Sequence, residues 1–248
     1  MFVHQESDTA LSTIMPTLDD LLTYIFDGQN PALYAEFEGW VRESRRYKAF
    51  ATTYRSKIRT KLKQAHDEAM VKDVRAELEV AALLLREERF MLEYEKYAAS
   101  KQRGPDFTVM FRTHTPFNVE VRRVRGVELE DGDDARITKL MAVLCDKVGQ
   151  MPPSIVNLLW LTTERALTEA DVARSGRTLL QLAERKEELF FTRRGFESAA
   201  EFLKAYQRLS GIVVWQPGAP VLWPNALARH KTPPDIMTAL LRVLRGGH

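Results

Sequence analysis

The chain has 248 residues, of which 45% are hydrophobic, 28% are charged and 9% are aromatic. This is the composition of an ordinary globular protein that can bury a substantial core, and no internal repeat or low-complexity segment interrupts it. The formal net charge of +2 does not by itself point to any class of partner.

Cysteine and histidine usage excludes several kinds of site. The single cysteine, Cys145, cannot form an internal disulfide, and it lies on the apolar face of a predicted helix, where a packing role is expected. The five histidines lack the spacing of zinc ligands. No dinucleotide-binding glycine signature, P-loop or nucleophilic Ser or Cys motif is present.

The sequence also argues against a membrane protein or a secreted protein. No apolar run approaches the roughly 20 residues that a spanning helix needs. The first 41 residues contain seven Asp or Glu and no Lys or Arg, which is the reverse of the basic start of a signal peptide. We therefore expect a cytoplasmic protein that has no membrane partner.

Residues 1–64 predict a helical N-terminal extension. Residues 1–15 show no periodicity and are expected to form a loose tail. A short helix follows from Leu18 and ends near Asp27. After Asn30-Pro31, apolar and aromatic residues recur at three- and four-residue steps as far as Leu62, which predicts one long helix.

The long helix is strongly basic on its outer faces. Between Arg42 and Lys63 it carries nine Lys or Arg and one acidic residue. Such a segment can be a solvated face that balances the acidic residues before it. It can also be a track for nucleic-acid phosphates, with Arg55, Arg59 and Lys63 on one face at four-residue steps.

A second strong helix is predicted from Ala65 to about Glu88, and a strand from Phe90 to about Tyr97. The apolar stripe of this helix is flanked by two glutamates, Glu77 and Glu79. The strand alternates apolar and polar residues, which is the period of a half-buried strand.

The next stretch, from Gly104 to Arg125, predicts a β-hairpin with carboxylates inside an apolar alternating pattern. Thr113-His114-Thr115-Pro116 is expected to form its turn. Whether Phe111 pairs with Phe117 or, one step tighter, with Thr115, Asp106 lies opposite or nearly opposite Glu120. Arg122 then shares their face of the sheet. Like charges opposite each other are destabilising, and a divalent cation would offset them.

Pro105-Asp106 followed by Glu120-Val121-Arg122 resembles the motif of the PD-(D/E)XK nuclease superfamily. The resemblance implies an α/β, restriction-endonuclease-like core of helix, three-stranded meander, helix and strand over residues 65–165. It also implies a helical N-terminal extension and α+β C-terminal additions over residues 166–248. It covers roughly 100 residues, and the lysine of the family motif is Arg122 here.

The resemblance implies a magnesium or manganese site and a catalytic role for Asp106, Glu120 and Arg122. Asp106 and Glu120 would bind the metal, together with a glutamate from the preceding helix, for which Glu79 is the first choice and Glu77 the second. Arginine keeps the positive charge of the family lysine and can bind phosphate through its fork, but it cannot act as a base.

The remaining elements continue the α/β pattern. Residues 128–134 predict an acidic loop that lacks the spacing of a calcium loop. A helix is expected from Asp134 to Val148 and a buried strand from Ser154 to Thr162. The C-terminal part predicts a helix over residues 168–189, a turn over 190–196, a helix over 197–209, a hairpin over 211–223 and a last helix over 232–245.

Three functions remain open from the sequence. The first is a metal-dependent nuclease that hydrolyses phosphodiester bonds in DNA or RNA. The second is a catalytically weak or inactive nuclease-fold domain that binds nucleic acid or a protein partner. The third is an α/β protein in which the hairpin carboxylates are ordinary surface charges. A homodimer is compatible with any of them.

Overall fold

A computed structural model describes residues 17–97, 104–125, 132–163, 165–216 and 219–246. It divides the chain into two compact units, Met1–Lys63 and Gln64–His248. The N-terminal tail expected over residues 1–15 lies outside the described residues, as does most of the acidic loop expected before Asp133.

The first unit consists of helices, namely α1 (Leu18–Phe26), α2 (Pro31–Glu43) and α3 (Arg45–Gln64). Its core is aromatic: the ring of Phe37 meets the rings of Phe26 and Tyr47 edge to face, at centroid distances of 5.4 and 5.5 Å. All three side chains are buried. Aromatic pairs in this geometry add stability beyond the apolar area that they bury.

One expectation about this unit is wrong, because the long helix is two helices. Ser44 adopts an extended conformation between α2 and α3, and its hydroxyl accepts a hydrogen bond of 3.1 Å from the Tyr47 amide. A serine hydroxyl that takes up an amide at the start of a helix is a typical N-cap. The apolar spacing continues across Ser44, so periodicity alone could not show the break.

The second unit contains six helices and six strands among its described residues. The helices are α4 (Glu68–Leu84), α5 (Gly132–Val148), α6 (Glu169–Glu184), α7 (Glu188–Thr192), α8 (Ala199–Tyr206) and α9 (Pro234–Arg245). The strands are β1 (Phe90–Tyr94), β2 (Phe107–Phe111), β3 (Thr115–Val124), β4 (Val156–Thr163), β5 (Leu209–Trp215) and β6 (Val221–Pro224).

The strands form one mixed sheet, which confirms the α/β class. They lie in the order β1-β2-β3-β4-β5-β6. The first three strands are antiparallel, β3, β4 and β5 are parallel, and β6 returns antiparallel to β5. The expected C-terminal hairpin is therefore β5 and β6, and it extends the same sheet.

Helices cover both faces of the sheet. On the first face, here called the α4 face, Arg123 of β3 bonds to Asp73 of α4 at 2.8 Å. On the second, the α5 face, one apolar cluster joins α5, α6 and α8 to the sheet through Val124, Leu159, Leu161, Ile212 and Val214. Cys145 lies in this cluster, and its burial raises the pKa of the thiol to about 12.

Two local details of the C-terminal part depart from the sequence expectations. The short helix α7 overlaps the start of the segment expected to be a turn, and α6 ends at Glu184 rather than near residue 189. After α6 the chain turns at Lys186, which has a φ of 54°. Within the described ranges, no helix has the length and apolarity needed to cross a membrane.

Candidate functional site

The register of the β2–β3 hairpin brings the two motif carboxylates to the same level of the sheet. Phe111 lies opposite Thr115 and Phe107 opposite Val119, which is the tighter of the two pairings considered from the sequence. Asp106 directly precedes β2, and Glu120 directly follows Val119, so both motif residues lie one position beyond this pair. The turn comprises Arg112 to His114, and Arg112 adopts a φ of 56°.

Asp106 is held at the start of β2 by main-chain contacts on two sides. Its Oδ2 accepts a hydrogen bond of 2.8 Å from the Val121 amide of β3. Its carbonyl oxygen accepts one of 2.7 Å from the Glu95 amide, directly after β1. The Asp106 side chain is thus hydrogen-bonded to β3, and its main chain to the residue after β1. These two contacts fix the position of the carboxylate beside the first residue of β2.

Glu120 is a buried carboxylate with a basic partner. The residue is 8% exposed, although it lies in the middle of β3. Lys147, in the last turn of α5, approaches its Oε1 at 2.7 Å, and Asp146 lies 3.8 Å from the same ammonium. A buried carboxylate requires such a charge partner, because removing a charge from water is costly. The spacing of apolar residues in this helix places Lys147 outside the buried stripe. Its contact with Glu120 could not be predicted from that spacing, because it depends on how α5 packs on the sheet.

Arg122 follows Glu120 by two residues and therefore lies on the same α5 face. It is partly buried, and within the described segments it has no hydrogen bond or ion pair. The next residue, Arg123, points to the other face and bonds to Asp73 and to the Ala69 carbonyl oxygen. The guanidinium of Arg123 is therefore hydrogen-bonded to α4, whereas that of Arg122 makes no such bond to α4.

The two helix glutamates lie in different places. Glu77 accepts a hydrogen bond of 2.5 Å from the Tyr94 hydroxyl of β1. Burial, followed by the charge of Glu77, raises the pKa of Tyr94 well above its ordinary value, and Asp106 adds to this rise. Glu79 instead bonds to Arg75 and to the indole of Trp215 in β5. The structure thus associates Glu77, the second choice, with the strand end that carries Asp106.

A buried polar row lies beside these residues on the α5 face. Thr108 donates to Asn118 at 3.0 Å, and Asn118 donates to Asn157 at 3.0 Å, across β2, β3 and β4. The Asn118 amide also donates to the Tyr97 hydroxyl at 3.4 Å. Satisfied polar networks of this kind hold side chains in one arrangement. Asn118 and Asn157 interrupt strands that are otherwise strongly apolar, which is a signal that the sequence analysis did not use.

The carboxylate pair is compatible with a magnesium ion. Mg²⁺ in proteins commonly uses one or two carboxylates and completes its coordination with water and substrate phosphate. Asp106 and Glu120 supply such a pair on neighbouring strands. No cluster of three or more His, Cys, Asp or Glu suited to a metal occurs in the described part of the chain. The Lys147 ammonium already neutralises Glu120, so a cation would have to share that carboxylate with it.

The three basic residues proposed as a phosphate track converge on α1 of the first unit. Arg59 donates to Asp27 at 2.8 Å and to the Tyr24 carbonyl, and its side chain is 25% exposed. The guanidinium of Arg55 lies over the Tyr24 ring, and the Lys63 ammonium is 4.0 Å from Asp27. Arg59 thus has a structural role in packing α3 against α1, whereas Arg55 and Lys63 are exposed.

Chemically, the α5 face combines the Glu120 carboxylate with an ammonium and a guanidinium, and the Asp106 carboxylate lies directly before β2. Such groups can bind a phosphate group and a divalent cation together. No family model, curated protein or solved structure matches this chain. The function is therefore inferred from the chemistry and positions of these side chains.

Proposed function

We propose that this protein is a metal-dependent nuclease that hydrolyses phosphodiester bonds in DNA or RNA. The observation that carries the proposal is the buried Glu120–Lys147 contact, with Arg122 on the same face of β3 and Asp106 hydrogen-bonded to the neighbouring Val121 amide. Buried charge pairs next to further polar groups occur at many functional sites.

Each residue has a distinct role in this proposal. Asp106 and Glu120 hold Mg²⁺ or Mn²⁺, which when bound polarises the scissile phosphate and makes a bound water more acidic. Lys147 places a compact positive charge beside Glu120, in the role that the family lysine has in the motif. Arg122 binds a phosphate oxygen through its planar fork.

The order of elements supports the same proposal. Helix α4 is followed by the antiparallel meander β1-β2-β3, then by α5, and then by β4 parallel to β3. This is the succession that the nuclease superfamily core has, and the two motif segments fall at the start of β2 and within β3. Strands β5 and β6 and helices α6 to α9 are additions to it.

A binding domain with little or no turnover is the second candidate. The observation that favours it is the hydrogen bond of 2.7 Å from Lys147 to Oε1 of Glu120, because a metal ion would have to share this carboxylate with the ammonium. A guanidinium stays protonated in proteins, so Arg122 cannot act as the base that activates water. In this case the same residues would bind phosphate groups without cleaving the backbone.

The test measures metal binding and cleavage separately. The wild type and Asp106→Asn, Glu120→Gln and Lys147→Met variants are incubated with plasmid, single-stranded DNA and RNA in Mg²⁺ or Mn²⁺. The melting temperature is recorded with and without the ion. We expect the two carboxylate variants to lose both the rise in melting temperature and the cleavage.

Lys147→Met distinguishes a catalytic ammonium from a purely structural one. Removing the ammonium leaves the carboxylates more negative, so the ion should raise the melting temperature more than in the wild type, while cleavage falls. Glu184→Gln, an exposed change in α6, is the matched control and should alter neither quantity. A wild type that neither binds the ions nor cleaves any substrate would refute the nuclease, and nucleic-acid binding without cleavage would establish the second candidate.

A further inference from the structure

A second group of charged residues lines a cavity away from the carboxylate pair. The cavity has a volume of about 640 Å³ and lies between the turn that joins α4 to β1 and the last turn of α9. Its walls carry three guanidiniums, those of Arg86, Arg89 and Arg242. It lies toward the Phe90–Phe111 end of β1 and β2, whereas Asp106 is at the opposite end of β2.

A largely buried carboxylate binds one of these arginines and lies near a second. Glu87, whose side chain is 9% exposed, accepts hydrogen bonds from Nε and Nη2 of Arg89 at 2.6 and 2.8 Å. Nη1 of Arg242 lies 3.7 Å from the same carboxylate. The Arg89 guanidinium also lies over the Phe111 ring, 5.1 Å from its centroid. A guanidinium has five N–H donors, so Arg89 keeps donors beyond the two that it gives to Glu87.

Helix capping does not account for all three arginines. The last carbonyl groups of α4 accept main-chain hydrogen bonds from Leu85, Arg86 and Glu87. Arg86 does bond to a carbonyl at the end of α9, that of Gly246, at 3.1 Å. Arg89 and Arg242 remain as two positive charges around Glu87.

The charge of the lining residues favours an anion. Three arginines face two carboxylates, Glu87 and the exposed Glu88, which leaves a net charge of +1 at the cavity. The neighbouring Arg112 is paired with Asp235 at 3.4 Å, so that pair adds no net charge. The Arg89 guanidinium, which is hydrogen-bonded to the Glu87 carboxylate, is suited to the planar, multidentate contacts that phosphate groups make.

We propose that this cavity binds a phosphate group, as inorganic phosphate or as a terminal phosphomonoester. The fixed guanidinium of Arg89 and the more exposed guanidinium of Arg242 contact the phosphate oxygens from two sides. The site is separate from the carboxylate pair of the proposed nuclease, and its occupancy does not depend on a divalent cation.

Isothermal titration calorimetry of the full chain with inorganic phosphate, in the absence of divalent cations, tests the proposal. We expect saturable binding that Arg242→Gln weakens at least about fivefold, because a charge-assisted hydrogen bond is lost. The Arg242 side chain is 61% exposed, so the variant should fold and melt as the wild type does. A nucleoside 5′-monophosphate should compete with phosphate, whereas the nucleoside should not.

A control variant locates the binding. Arg185→Gln removes an exposed arginine at the end of α6 and should bind phosphate as the wild type does. A 5′-phosphorylated oligonucleotide that competes better than its 5′-hydroxyl form would assign the cavity to nucleic-acid ends, and equal competition would assign it to small phosphates. The proposal fails if binding does not saturate, or if Arg242→Gln weakens it no more than Arg185→Gln.

Discussion

At the scale of single residues, the candidate site depends on which face of β3 each charged side chain occupies. Glu120 and Arg122 point toward α5, whereas Arg123 points toward α4 and is bonded to Asp73. Alternation along one strand thus separates two neighbouring arginines into a structural residue and a residue available for a ligand. The phosphate-binding role proposed for Arg122 rests on this separation.

Substitution of Arg122 separates substrate binding from turnover. We expect weak cleavage by the wild type and equal or higher Mg²⁺-dependent cleavage by Arg122→Lys, because a compact ammonium leaves room for the attacking water. Arg122→Ala should weaken nucleic-acid binding about tenfold or more and remove any cleavage. Strong wild-type turnover that Arg122→Lys reduces sharply would show instead that the guanidinium itself is needed.

Glu87 gives a pH-dependent contribution to stability. The hydrogen bonds from Arg89 lower the pKa of this carboxyl below its ordinary value of 4.5, although partial burial opposes them. A carboxyl with a lowered pKa in the folded state stabilises the protein above its ordinary pKa, and this contribution is lost as the pH falls through the lowered value. Glu87→Gln should therefore cost roughly 1 kcal/mol of unfolding free energy at pH 7.

The difference in unfolding free energy between the wild type and Glu87→Gln should become smaller as the pH falls below 4.5, the ordinary pKa of this carboxyl. Urea unfolding at a series of pH values measures this difference. Glu184→Gln, at an exposed position, should show no such trend. A difference that stays constant from pH 7 to acid would mean that the Arg89 hydrogen bonds do not stabilise the ionised carboxylate.

At the scale of elements, α3 combines a packing role with the expected basic surface. Because Arg59 bonds to Asp27 and to the Tyr24 carbonyl, Arg59→Ser should lower stability by roughly 1 kcal/mol. Replacing the exposed Arg55 and Lys63 by Ser should lower the stability less than Arg59→Ser does. If α3 contacts nucleic acid, the Arg55→Ser/Lys63→Ser variant should bind more weakly for all sequences, with a flatter dependence on salt. An unchanged salt slope would make this face an ordinary solvated surface.

The end of α6 is a second element-scale feature that can be tested. The Lys186 amide bonds to the Ala183 carbonyl and the Glu187 amide to the Leu182 carbonyl, at 3.1 and 3.0 Å, which is a Schellman motif. Its left-handed position, usually glycine, is the exposed Lys186 with a φ of 54°. Lys186→Gly should raise the unfolding free energy by about 0.5–1 kcal/mol.

The neighbouring Arg185 supplies the matched control for this substitution. It has a φ of −75°, within the right-handed helical region, so Arg185→Gly should destabilise the protein. Thermal unfolding of both variants shows whether each substitution raises or lowers the melting temperature. The Schellman assignment would be contradicted if Lys186→Gly lowered the melting temperature.

The features predicted correctly from the sequence are local ones. The period-2 alternation around Phe107 and Phe117 predicts the β2–β3 hairpin, since strand periodicity is a property of adjacent residues. The approach of Lys147 to Glu120 could not be predicted, because 27 residues separate them and only the packing of α5 on the sheet brings them together. The joining of β5 to β4 is likewise a long-range pairing that no local pattern records.

At the scale of the whole molecule, the second unit contains all six strands of the described residues and every candidate residue of the nuclease site. A chain that begins at Gln64 keeps all of α4 and its N-cap Asp67. We expect this fragment to fold with a cooperative thermal transition and to show the same rise in melting temperature with Mg²⁺ as the full chain. Circular dichroism with and without the ion measures both. A fragment that shows no cooperative unfolding would mean that the first unit is required for folding.

The order of the strands in the sheet is also their order in the chain. During synthesis, each new strand can therefore add to one advancing edge, and none has to insert between two strands that are already paired. The meander β1-β2-β3 can form before α5 and β4 have left the ribosome, because its contacts are between chain neighbours. Asp106 and Glu120 would then already be opposite each other in the nascent chain, and Lys147 would reach Glu120 only when the next helix is complete.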